Sequence, residues 1–168
     1  MKLIVVSGSM GTGKTTVMAE ASDLLKARGI AHAAIDLDAL GIAHLPDGTP
    51  DELQYVNLAS LWGNYAAAGA DRLVLAAALE DRAMLERIRE AVPGAGVYVC
   101  RLRASRETMQ RRVRLREPGM LQEQLVARAA ELQALLDRSS PHDLALDNDD
   151  DASVTEVATE LLRRAGWL

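Results

Sequence analysis

The sequence has no phenylalanine and only 3% aromatic residues. An aromatic core is therefore excluded, and Leu, Ala, Val and Ile must fill the interior, as they do in layered helix–sheet folds. Cys100 is the single cysteine, so no intramolecular disulfide can form. It lies in the apolar run from Val97 to Leu102, where a thiol reads as a small buried hydrophobe and not as a nucleophile. Positive charge is not in excess: 19 Lys and Arg against 24 Asp and Glu leave a formal net charge of −5. That balance argues against a general polyanion binder, because non-specific nucleic-acid affinity is built from many cationic contacts to phosphate. No nucleic-acid partner is expected. Long apolar runs are also missing. The N-terminal segment Leu3-Ile4-Val5-Val6 soon meets glycines, too early for a signal peptide or a bilayer span, so a cytoplasmic protein without membrane contact is expected. His32, His44 and His142 have no metal-ligand spacing.

With 168 residues, 49% of them apolar, the chain suffices for one continuous core and reads as a single domain over 1–168. Short β-branched runs alternate with helical periods, the pattern of parallel strands joined by crossover helices. Five strands are expected, Leu3 to Val6, Ala31 to Ile35, Arg72 to Leu79, Val97 to Leu102 and Asp143 to Leu146, together with six helices. Thr49-Pro50-Asp51-Glu52 combines a capping-box Thr and Glu with Pro at the first helical position, and Ser153 with Glu156 repeats the box. Gly29, Gly69 and Gly166 read as C-terminal stops. Leu121, Leu125, Ala129, Leu132 and Leu136 step at helical spacing, and Glu117-Pro118-Gly119 breaks an otherwise helical stretch from Ser105 to Arg138.

The strongest motif is Gly8-Ser9-Met10-Gly11-Thr12-Gly13-Lys14-Thr15, a G-x-x-x-x-G-K-[ST] pattern between a strand-like run and a helical period. Glycines at these places let successive backbone N–H groups curl around an anion, and the following helix aims its positive end at the same point. Lys14 is then expected to reach the β- and γ-phosphates of ATP, Thr15 to offer its hydroxyl to Mg²⁺, and Thr16 to touch the α-phosphate. Here the chain resembles the P-loop NTPases, and its small size is similar to the nucleoside, nucleotide and small-metabolite kinases. That resemblance implies an α/β three-layer fold: a five-stranded parallel sheet of order 2-3-1-4-5, flanked by helices, with a small lid. No Asn-Lys-x-Asp guanine-reading motif is present, so ATP is the expected donor.

Ligands of open parallel sheets gather at the carboxyl ends of the strands. Asp36 and Asp38 follow the second run there, and an Asp in this place can take a proton from an acceptor hydroxyl or orient it. The Asp-x-Asp segment resembles the one in adenylylsulfate kinases, and chloramphenicol phosphotransferase-like enzymes carry a candidate base in a similar place. The resemblance assigns that role mainly to Asp38, with Asp36 either binding acceptor or assisting Mg²⁺ through water. Glu80 and Asp81 end the third run and read equally as a weak metal-site match or as helix N-terminal acids. Asn57 stands mid-helix in the segment Pro50 to Ala68, unfavourable unless its amide is used, which makes it a candidate for acceptor binding. Trp62 and Tyr65 in that segment are expected to be core more than stacking surfaces.

Arg112 and Arg116 lie one turn apart before the Pro-Gly break, suited to charge on a transferring phosphoryl group. By resemblance they sit on a lid of about 111–121, with Arg128 a lesser candidate. The run Asp147-Asn148-Asp149-Asp150-Asp151 lacks the Gly and Glu of a calcium loop; it reads as a solvated connection, and the resemblance places adenine near it. The expected activity is ATP- and Mg²⁺-dependent phosphotransfer to a hydroxyl or phosphate of a small molecule, by a monomer or homodimer. Two readings share the cradle: a non-catalytic ATP-responsive module, and a toxin-type kinase acting on a nucleotide sugar.

Overall fold

Five runs rich in Val, Leu, Ile and Ala become strands because branched and aliphatic side chains pack well on a pleated surface covered on both faces. They are β1 (Lys2–Ser7), β2 (Ala33–Asp36), β3 (Arg72–Ala77), β4 (Gly96–Arg103) and β5 (Leu144–Asp147). All pair in parallel, in the order β2-β3-β1-β4-β5, which is the order expected. The computed structural model describes residues 1–46, 48 and 51–168.

The described helices are α1 (Lys14–Ala27), α2 (Leu37–Leu40), α3 (Leu53–Ala67), α4 (Arg82–Ala91), α5 (Arg106–Arg116), α6 (Gln122–Ser139) and α7 (Val154–Arg164). Alternation along β1 splits the core in two. Leu3 and Val5 face α3 and α4, meeting Leu58, Trp62, Leu85 and Ile88. Ile4 and Val6 face α1 and α7, meeting Val17, Ala21, Leu25, Leu161 and Leu162. A third, small core joins Val113 of α5 to Val126 and Ala129 of α6, with Met10 and Leu125 packed against it.

Several boundaries differ from the expected ones. Seven helices are described instead of six, because the Asp36 carboxylate accepts from the Asp38 amide 3.1 Å away and caps the short α2. Helix α3 starts at Leu53; Thr49 and Pro50 of the expected start lie outside the described residues, and the Glu52 carboxylate pairs with Arg87 on α4. Leu121 is 52% exposed at the N-terminus of α6 and does not join that helix's buried stripe. Caps at Ser153 and Ser105 form as side-chain acceptors for the amides of Glu156 and Thr108. Gly29, Gly69 and Gly166 all follow helices at positive φ. Among the described residues no helix is long and apolar enough to cross a membrane.

Candidate functional site

At the carboxyl end of central β1 the chain turns through Gly8 to Gly13 and enters α1 at Lys14. Gly11 and Gly13 have φ of 82° and 90°, backbone that side-chain-bearing residues seldom adopt. Close approach adds to the demand: a Cβ on Gly11 would lie 2.5 Å from the Met109 carbonyl oxygen, and one on Gly13 would strike the Asn148 amide. Gly13 caps α1 with no side-chain acceptor, so the free first-turn amides and the positive end of the helix face the loop's interior.

The loop is braced from outside. The Ser9 carbonyl accepts from the Thr12 amide at 3.3 Å and the Thr12 hydroxyl at 2.8 Å. The buried Ser9 hydroxyl donates to the Ala129 carbonyl of α6 at 2.7 Å. From the segment after β5, Asn148 Nδ2 donates to the Thr12 carbonyl at 2.8 Å. Arg112 donates to the carbonyls of Gly11 (3.3 Å) and Asn148 (2.8 Å), and its guanidinium stands 3.2 Å from Asp150.

Inside the cleft, Lys14 is nearly buried, its ammonium 3.4 Å from the Ser9 carbonyl and 3.9 Å from Asp38 Oδ2. Burial lowers its pKa from the ordinary lysine value; Asp38 and Asp36 oppose that shift, and Arg116 adds to it. The Asp38 pKa is raised, first by desolvation, against the pull of Lys14 and with further push from Asp36. The backbone of Ala78, just beyond β3, works against the rise. Desolvation outweighs the attraction within the pair because 3.9 Å is too long for a charge-assisted hydrogen bond. Thr15 Oγ1 donates to Asp36 Oδ2 at 2.6 Å. The cleft has a volume of about 180 Å³.

The cleft is lined by Ser9, Gly11, Gly13, Lys14, Thr15, Thr16, Arg112 and Arg116, with Asp36 and Asp38 beside Thr15 and Lys14, whereas Gly8 and Thr12 meet each other within the loop and Met10 packs on the α5–α6 core. Asn57 stands apart from this lining: its Nδ2 donates to the Leu40 carbonyl at 2.9 Å and ties α3 to the end of α2. Glu80 faces Arg128 at 4.0 Å, and Asp81 caps α4 through the Met84 amide. Trp62 is core and Cys100 is buried, with desolvation pushing the thiol up to about 12. Sequence reasoning missed Asn148, whose only signal was one amide within a run of carboxylates.

The residues present fit MgATP. Thr15 and Asp36 offer adjacent hard oxygen donors, the kind Mg²⁺ takes, and no group of three His, Cys, Asp or Glu among the described residues is placed for a metal. The other ligands would be phosphate oxygens and water, as Mg²⁺ commonly has.

Solved structures share this fold. An APS kinase from Mycobacterium tuberculosis in complex with AMPPNP and APS is 24% identical, with 96% of this chain and 95% of that chain covered at a TM-score of 0.65. The Deinococcus radiodurans tunicamycin resistance protein is 18% identical, with 99% and 96% covered at 0.69. Shikimate kinase from Acinetobacter baumannii in complex with shikimate is 17% identical, with 98% and 92% covered at 0.62. No family model matches the chain, and no match was found among curated proteins.

Proposed function

Because the chain carries the fold of the P-loop small-molecule kinases, we propose that it transfers the γ-phosphate of ATP to a hydroxyl or phosphate of a small molecule. The observation that carries this reading is a nearly buried Lys14 at the head of α1, 3.9 Å from a carboxylate on the neighbouring β2–α2 segment. Cradle amides and the α1 terminus bind the phosphate chain, and Lys14 neutralises charge at the β- and γ-phosphates. Thr15 and Asp36 would hold Mg²⁺, which would supply charge neutralisation on the phosphate oxygens.

Asp38 accepts the proton of an acceptor hydroxyl as the oxygen forms its bond to γ-phosphorus; the bond to the bridging oxygen breaks and ADP leaves with those electrons. A carboxylate whose pKa is raised by desolvation is a better proton acceptor, once ionised, than an ordinary one. Arg112 and Arg116, on the α5–α6 lid, meet charge on the phosphoryl group and exclude water. Asn57, through its bond to the Leu40 carbonyl, holds α3 against the end of α2 on the acceptor side. The reading extends to a cytoplasmic monomer or homodimer that needs neither nucleic acid nor membrane.

ADP release from MgATP, alone and with pooled hydroxyl compounds, tests it. Stimulation by a pool, lost in Lys14→Ala, is the expected result. Tight MgATP binding with no stimulated release would favour an ATP-responsive module, and stimulation undiminished in Lys14→Ala would refute the cradle assignment.

A further inference from the structure

The acceptor wall begins where β2 ends. Asp36 and Asp38 stand beside Thr15 and Lys14, and α2 carries that strand end onto α3, where Asn57 bonds the Leu40 carbonyl. Between Arg28 and Arg72 the sequence has neither Lys nor Arg, yet it holds Asp36, Asp38, Asp47, Asp51, Glu52 and Asp71. The β2–α2 stretch at this edge therefore brings no lysine or arginine to the transfer point.

Arg87 on α4 and Arg128 on α6 are each matched to carboxylates. Arg87 pairs with Glu52 and lies 4.6 Å over the Tyr55 ring. Arg128 is shared between Glu80 at 4.0 Å and Glu131 at 3.9 Å. Lys14, Arg112 and Arg116 line the phosphate cleft itself, where the charge of ATP would occupy them. Recognition of a carboxylate, sulfate or second phosphate normally relies on a guanidinium fork or ammonium facing it. Held against Asp38 without one, an anionic acceptor meets like charge in a partly desolvated cleft.

We infer that the acceptor is a hydroxyl compound that is uncharged or cationic, such as a polyol, nucleoside or amino sugar, and that the site rejects its phosphorylated, sulfated or carboxylated counterparts. This rests on the phosphotransfer reading above and narrows its acceptor to a hydroxyl. Matched pairs differing in one anionic group test it on the full chain with MgATP: nucleosides against their 5′-monophosphates, hexoses against hexonic acids, and amino sugars against their O-sulfated forms. The readout is acceptor-stimulated ADP release, with MgATP binding measured separately in the wild type and Lys14→Ala. The expected result is a kcat/KM at least about tenfold higher for the member without the anion. Preference for the anionic member of an active pair overturns the inference and leaves phosphotransfer standing. Release unmoved by every pair, with Lys14-dependent MgATP binding intact, refutes phosphotransfer to such compounds and the inference with it.

Discussion

Replacing Asp38 by Asn keeps the size of the side chain and removes its ability to take a proton. A positioned general base contributes about 10²- to 10⁴-fold, or roughly 3–5 kcal/mol of barrier. Loss of the contact to Lys14 contributes far less: the Asp38 side chain is 57% exposed and the pair is 3.9 Å apart, so screening holds that term to under about 1 kcal/mol. Acceptor-stimulated kcat should therefore fall by at least about a hundredfold while the KM for ATP moves less than about fivefold. Stability should not fall with it. The folded pKa of Asp38 lies above its unfolded value of 3.8, so the folded state binds the more protons between the two, and the stability this group contributes is lost as pH rises through the folded pKa. Above that pKa the charged carboxylate opposes folding, and Asn removes the penalty, leaving Tm equal or higher. The assay is stimulated ADP release followed as a function of pH from the ordinary carboxylate range upward. Wild type should show an acid limb above the ordinary carboxylate value, and the variant should lose it. A variant within about threefold of wild-type kcat, with the limb intact, would refute Asp38 as the base.

Gly11→Ala forces a side chain into φ 82° with its Cβ 2.5 Å from the Met109 carbonyl; about 1–2 kcal/mol of backbone strain and displacement of α5 should weaken ATP binding about tenfold or more, measured by calorimetric titration. Asn148→Ala leaves the Thr12 carbonyl without its donor and should lower stability by about 1–3 kcal/mol in a urea melt, with weaker ATP binding. Leu58→Ala, fully buried between α3 and the sheet, should cost about 2–5 kcal/mol yet leave ATP affinity unchanged below its melting range.

The strands and the cradle were legible because each is written in local pattern: continuous aliphatic runs, and glycines at set intervals before Lys14. The order of the strands came with the family resemblance, since aliphatic runs carry no address for their neighbours. Helix α2 escaped notice because four residues hold barely one helical period, leaving the Asp36 cap as its only mark. Asn57 was legible as a working amide, but propensity cannot separate a ligand contact from a tie to Leu40. Glu80 and Asp81 read ambiguously because both end a strand; only the packing of α4 and α6 shows one facing Arg128 and the other capping. The approach of Asp38 to Lys14 was beyond local reading, because β3 lies between their strands and no spacing along the chain encodes that distance.

In the motif that defines the cradle, Ser9, Met10 and Thr12 occupy places where any residue satisfies the pattern. In this chain none of the three is interchangeable. Ser9 is fastened to Ala129, Met10 packs on the small core of α5 and α6, and the Thr12 side chain and carbonyl are held by Ser9 and Asn148 respectively. Drift at these positions is therefore tied to residues more than a hundred places further along. A loop grafted from another protein, matching every glycine and the lysine, would arrive without its moorings, and a chimera would have to carry α5, α6 and the turn after β5 along with it.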